Sequence, residues 1–235
     1  MKISYKSINC GHENHNYCKY VEFAFSKNAE ELQTVKHRTN KLIEKLNPRH
    51  LGSNRIRTEE EMIGDITRGA LAEICSKKLF QEVIEKRNLN ARIDDTAGLN
   101  YTSESGTQID LHLIVNGKKS EIEIKSSCVR NGTDFGIKSG YFNIVGWFVH
   151  NAKKFDPPKN FYMMYLFPFD AEKTMSIIED DFILHFVGGA TKNMLEGPLG
   201  RYTDLKQYGM KCCGIKPICA GLDSLQMIEK MLTNE

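Results

Sequence analysis

Asn116-Gly117, flanked on both sides by alternating apolar and polar residues, constrains the fold of this chain more than any other dipeptide. Before it runs Ile109-Asp110-Leu111-His112-Leu113-Ile114-Val115. After it runs Lys118-Lys119-Ser120-Glu121-Ile122-Glu123-Ile124-Lys125. Asn-Gly between two such runs predicts a β-hairpin closed by a two-residue type I′ loop, because both loop residues must take positive φ. Val115 then faces Lys118, and the register follows: His112 stands opposite Glu121, Asp110 opposite Glu123, and Gln108 opposite Lys125. Successive side chains point to opposite faces of a strand. Leu111, Leu113, Ile122 and Ile124 therefore face a core, and Asp110, His112, Glu121, Glu123 and Lys125 share the other face.

That polar face sets acid against acid. Opposed Cβ atoms lie about 4.5–5.5 Å apart, and like charges there are destabilising. A divalent cation between the carboxylates reverses the sign of the interaction, and magnesium is content with one or two carboxylates plus waters and phosphate oxygens. Lys125 stays on the same face and can orient a water or steady charge on a phosphate. The plain alternative is a solvated polar face. Such a face would be expected to pair opposite charges, whereas here lysine faces glutamine.

The remaining sequence is consistent with one α/β domain over residues 1–235, with a core at about residues 58–170 and elaborations at both ends. Of the 235 residues 40% are hydrophobic and 26% charged, enough for one sizeable core and against extensive disorder. Residues 26–47 predict a helix capped by Ser26 or Asn28, with Leu32, Val35, Leu42, Ile43 and Leu46 at helical spacing and Pro48 ending it. Residues 58–87 predict a second, opened by the capping box Thr58…Glu61. Phe161–Phe167 reads as a buried strand, and residues 177–187 as containing another. Ser224–Leu232 reads as a closing helix capped by Asp223. Helices alternating with strands and a hairpin give a mixed β-sheet flanked by α-helices.

At the hairpin the chain resembles a known superfamily. Asp110 followed by Glu123-Ile124-Lys125 is similar to the D…(D/E)-x-K signature of the PD-(D/E)XK nucleases, which include many type II restriction endonucleases. The likeness spans about residues 60–127. The resemblance implies a restriction-endonuclease-like central mixed sheet with helices on both sides and an acidic residue on the preceding helix. Glu73, in Gly69-Ala70-Leu71-Ala72-Glu73, fills that place; its alternative is a helix-surface residue, and Asp65 is a second candidate. Ile109 stands where the signature has proline, and Glu121 would become the ligand in a slipped register. Under the resemblance Asp110 and Glu123 bind Mg²⁺ (Mn²⁺ may replace it), Lys125 assists the water, and Glu73 supports the site. The implied substrate is double-stranded DNA cut at a specific sequence, the implied assembly a homodimer, and the implied location a prokaryotic cytoplasm. A structure-selective repair nuclease and a non-catalytic DNA-binding module are the alternatives.

DNA contacts are expected from Arg55 and Arg57 between the first two helices, from Lys138, Ser139, Tyr141 and Asn143 after the catalytic strand, and from Arg201 in a glycine-flanked loop. The net charge of +2 excludes a heavily basic coat protein but is compatible with a local basic stripe beside an acidic site. No apolar run approaches the ~18 residues of a membrane span, so no membrane partner is expected. The seven cysteines are odd in number and unevenly spaced, as for reduced thiols. Cys75 and Cys128 read as small core residues. Cys10, His12, His15 and Cys18, with Cys212, Cys213 and Cys219, concentrate zinc-type ligands. Their spacing does not match the usual close Cys pairs, and structural Zn²⁺ is not expected.

Overall fold

From Leu111 to Val115 the hairpin forms in the expected register; the ladder does not extend to Asp110 opposite Glu123, and Gln108 lies outside the described residues. In the computed structural model, which describes residues 1–12, 15–43, 58–95, 110–149, 157–205 and 210–233, strand β4 (Leu111–Val115) pairs antiparallel with β5 (Lys118–Cys128). Leu111 lies opposite Ile122, His112 opposite Glu121 and Val115 opposite Lys118. Asn116 and Gly117 both take positive φ, 50° and 80°, as a type I′ loop requires.

Around this hairpin the fold is mixed α/β, with helices flanking a large mixed sheet. In chain order the preceding elements are β1 (Lys2–His12), β2 (His15–Phe25), α1 (Glu30–Ile43), α2 (Glu59–Arg87) and β3 (Ala91–Asp95). Following the hairpin are α3 (Thr133–Lys138), β6 (Ile144–Val149), β7 (Phe161–Phe167), α4 (Thr174–Ile177), β8 (Phe182–Thr191), α5 (Lys192–Glu196), β9 (Arg201–Leu205), β10 (Met210–Ile215) and α6 (Ser224–Thr233). The seven-stranded sheet has the order β1-β2-β8-β7-β5-β4-β3, and β6-β10-β9 form a separate three-stranded sheet. In the large sheet β5 and β7 run parallel and the other neighbouring pairs run antiparallel.

Two apolar layers cover the large sheet. On one face α1, α2 and α6 contribute Leu32, Val35, Leu71, Leu79, Phe80, Met227 and Ile228 against Leu111, Leu113, Ile122 and Met163. On the other, Ile144 and Trp147 of β6 join Cys213 and Ile215 of β10 over Tyr162, Met164 and Leu166. Every residue of β7 is buried. A central strand covered on both faces has no polar side, which is why it reads as a continuous apolar run.

The long helix α2 begins with both bonds of the capping box. Glu61 N–H donates to Thr58 Oγ1 at 3.1 Å and Thr58 N–H to Glu61 Oε2 at 2.9 Å. Asn88 ends it in the left-handed conformation. At Gly64 a Cβ would stand 1.9 Å from the Ala171 carbonyl oxygen, so a side chain there would push α2 off the turn that leads into α4. α1 starts at Glu30, after a turn in which Ala29 N–H donates to Ser26 O; its expected continuation to residue 47 lies outside the described residues. α6 is capped by Asp223, whose Oδ1 accepts from Gln226 N–H at 2.9 Å.

Three features depart from the sequence reading. Residues 2–12 and 15–25, which carried no predicted element, form the paired strands β1 and β2. The inner residues Val21, Phe23 and Phe25 are buried, but aromatic residues on both faces of β2 hide the alternation. The strand expected within residues 177–187 is β8, which begins only at Phe182; Ile177 ends the short helix α4. Cys128 is not a plain core residue, since its Sγ donates to Asp170 Oδ1 at 3.0 Å. No described helix is long and apolar enough to cross a membrane.

Candidate active site

The site forms at the start of β4 beside the middle of β5, where Asp110 also feels Glu73 of α2. Asp110 is the residue before β4. Its N–H donates to the Ile122 carbonyl at 3.2 Å, and its Oδ2 accepts the Ile124 N–H at 2.6 Å. The carboxylate thus takes a main-chain donor of the neighbouring strand and is fixed by it. The expected direct pairing of Asp110 with Glu123 becomes side-chain proximity at the end of the regular ladder.

Glu123 and Lys125 follow on β5 with their side chains on one face. Their register partners on β7, Tyr162 and Met164, belong to the apolar layer under the small sheet, while Ile122 faces the helices. Lys125 Nζ donates to Glu123 Oε1 at 2.5 Å and lies 4.9 Å from the centroid of the Phe148 ring, a cation–π distance. Glu123 Oε2 is buried and accepts no hydrogen bond from the described residues. A buried carboxylate oxygen without a donor is costly unless a cation or a bound group satisfies it.

Glu73 joins from α2. Burial first, then the charges of Glu123 and Glu73, push the Asp110 carboxyl well above the ordinary carboxylate range; the Ile124 N–H and Lys125 pull it back. Glu123, Glu73 and Lys125 therefore all act on Asp110, and Lys125 pairs with Glu123. Carboxylates crowded together out of water disfavour full ionisation until a positive charge arrives.

Arg38 is the site residue that sequence reasoning missed. Its Nη2 donates to Glu73 Oε2 at 2.6 Å, with both side chains largely buried. The available signal was position: Arg38 follows Leu32 and Val35 at helical spacing on α1, at the border of its buried face. Asp65, the second candidate acid, instead pairs with Arg68 at 2.5 Å.

The proposed DNA contacts scatter more widely. Asn143 turns inward, its Nδ2 3.7 Å from Cys212 Sγ, and Cys212 lies close enough to feel the Lys125 charge. Lys138 is exposed at the end of α3, and Ser139 N–H closes that helix on Phe135 O at 2.8 Å. Tyr141 is 81% exposed and stacks on Phe135. Arg201 is exposed at the start of β9. Arg55 and Arg57 lie outside the described residues.

Among the described residues no three His, Cys, Asp or Glu side chains form a ready-made metal-holding group. Magnesium, however, takes only one or two protein carboxylates, and Asp110 with the unsatisfied Glu123 oxygen fits that requirement.

Compared with known proteins, the chain matches no family model and no solved structure. It is similar to the uncharacterized protein MJECS01 of Methanocaldococcus jannaschii, 27% identical over 204 residues, covering 75% of this chain and 73% of that protein.

Proposed function

We propose that this protein is a Mg²⁺-dependent endonuclease of the PD-(D/E)XK kind, hydrolysing phosphodiester bonds of double-stranded DNA in the manner of a type II restriction enzyme. The observation that carries the reading is the buried Glu123 Oε2 with no donor among the described residues, beside an Asp110 carboxyl whose ionisation is opposed by burial and by the charges of Glu123 and Glu73. Asp110 and Glu123 would hold the ion. Mg²⁺, when bound, would lower the pKa of a water and neutralise charge developing on the phosphate.

The chain's own residues do the rest. The Ile124 N–H fixes one Asp110 oxygen. Lys125, held between Glu123 and the Phe148 ring, orients the attacking water and shares charge with the phosphate. Glu73 keeps the site acidic, and Arg38 holds Glu73 in place. A palindromic target would call for a symmetric homodimer.

Incubation with plasmids of mixed sequence, with Mg²⁺ and with chelator, tests the function. Discrete fragments formed only with Mg²⁺ are expected. A smear would favour a structure- or sequence-indifferent nuclease. Uncut plasmid with Mg²⁺ and with Mn²⁺ would remove the nuclease reading altogether.

A further inference from the structure

A ladder of three aromatic rings runs from the core to the surface around α3, and the carboxylate chemistry makes no use of it. Phe142 packs against the apolar layer under the small sheet. The Phe135 ring meets it edge-on, with centroids 6.4 Å apart and planes at 86°. Tyr141 stacks on Phe135, with centroids 5.9 Å apart and planes at 22°. Both are arrangements that aromatic pairs favour. Phe135 belongs to α3 and Tyr141 to the turn after it, so the stack holds that turn against the helix. The outermost ring is still 81% exposed: one face of Tyr141 is taken by Phe135, and the other is left to solvent. The surroundings are basic. Lys138 is exposed in the last turn of α3, whereas the acidic residue of that helix, Asp134, is in the first turn. A Cβ on Gly140 would stand 3.9 Å from Lys216 Cε, so the exposed Lys216 side chain runs along the same turn.

We propose that Phe135 and Tyr141 form a stacking platform for an unpaired base, and that the DNA partner of this protein carries single-stranded character near the cut. The inference deepens the nuclease reading and rests on it for the choice of DNA. Every base has a π-face, and proteins that hold single strands combine exposed aromatic rings with cations that follow the phosphates. Tyr141 supplies such a ring, already fixed in place by Phe135, and Lys138 and Lys216 supply the cations. A base inside a duplex is stacked on its neighbours and has no face to offer, so the platform favours strands that are already open or open at low cost.

The platform and the candidate site share a stretch of chain. Tyr141 and Phe148 are seven residues apart in sequence, which limits their Cα separation to about 25 Å. Phe148 is the ring that faces Lys125 Nζ at 4.9 Å. Between them Asn143 meets Cys212, the β10 residue opposite Phe148, and so fixes the start of β6 to the small sheet. A strand lying at Lys125 thus has the platform within a few nucleotides' reach.

Fluorescence anisotropy of labelled oligonucleotides with the full-length protein, in chelator so that nothing is cut, tests the proposal. The probes are single-stranded oligothymidine and an abasic strand of the same length, which keeps the phosphates and lacks the bases. Wild type is expected to bind oligothymidine about 5- to 100-fold more tightly than the abasic strand, the margin that one stacking ring supplies. Tyr141→Ala should lose that margin and Tyr141→Trp should keep it. Tyr5→Ala should also keep it, because Tyr5 is an exposed tyrosine on the helix side of the sheet, opposite Val21. Lys216→Ala should weaken both probes alike. Equal affinity of wild type for the two probes would overturn the proposal, as would an undiminished margin in folded Tyr141→Ala. A wild-type dimer that Tyr141→Ala converts to monomer, with the margin intact, would overturn it in favour of a self-association face. The platform and the nuclease reading fail separately: base-dependent binding without plasmid cutting would remove only the nuclease, and plasmid cutting without base-dependent binding would remove only the platform.

Discussion

Asp110 accepts the backbone N–H of Ile124 at 2.6 Å, and so anchors its carboxylate to the strand that carries Glu123 and Lys125. The bond supplies a fixed donor to an acid that burial and two neighbouring carboxylates work to neutralise. Under the proposed function, the site is therefore expected to be unstable until a cation binds.

Asp110→Asn should stabilise the metal-free protein at neutral pH. The Asp110 pKa is raised on folding, so its contribution is fully present below the ordinary carboxylate pKa and is lost as pH rises through the folded value. Asparagine keeps an oxygen for Ile124 N–H and removes the charge. Thermal melts in chelator should show a gain in Tm at pH 7, about 2–4 °C for each kcal/mol recovered in a chain of this size, shrinking toward pH 4. A lower Tm for the variant at pH 7 would contradict the assignment.

Arg38→Ala should destabilise the fold by about 1–3 kcal/mol, the usual effect of removing one partner of a partly buried charged hydrogen bond. Urea unfolding of Arg38→Ala, Glu73→Gln and the double variant should reveal a coupling between the two. Additive effects would show that the 2.6 Å contact carries no energy of its own.

Phe148→Leu should slow DNA cleavage without abolishing it. The ring holds the Lys125 ammonium at 4.9 Å, and a contact of that kind is worth about 0.5–2 kcal/mol. Single-turnover cleavage should fall by about 2- to 30-fold, with divalent-ion affinity unchanged. A loss as large as that of Lys125→Ala would mean that Phe148 does more than steady the lysine.

Away from the site, Glu31 sets an acid limit on stability. It is salt-bridged to Lys78 and to the N-terminal amine. Burial opposes ionisation, but these partners outweigh it and hold the carboxyl down at about 2. Because this pKa is depressed on folding, its stabilisation is present above the ordinary carboxylate pKa and is lost as pH falls toward 2. Glu31→Gln should melt below wild type at pH 7 and converge with it near pH 2. Parallel curves across that range would contradict the coupling.

Local rules made the hairpin legible. Asn116-Gly117 dictated its loop and register, Thr58…Glu61 dictated the start of α2, and Asp223 the start of α6. Each of these is a short-range interaction written in neighbouring residues. What stayed hidden depends on partners far along the chain. The Arg38–Glu73 pair joins two helices, and a helix pattern alone does not say which helix it meets. The β1–β2 strands escaped notice because apolar residues on both faces erase the period of two. The expected Asp110–Glu123 pairing is not part of the ladder, which ends at Leu111; Asp110 meets β5 through its N–H to Ile122 O and its side chain to Ile124 N–H.

Under the proposed function, Asp110, Glu123 and Lys125 cut DNA with a divalent ion. Relaxation and linearisation of supercoiled plasmid by wild type, Asp110→Asn and Lys125→Ala, each verified as folded, tests it most directly. Mg²⁺-dependent cutting by wild type is expected, with none detectable for Asp110→Asn and a loss of about 10²- to 10⁴-fold for Lys125→Ala. Full cutting by Asp110→Asn, or equal cutting by wild type in chelator, would contradict it.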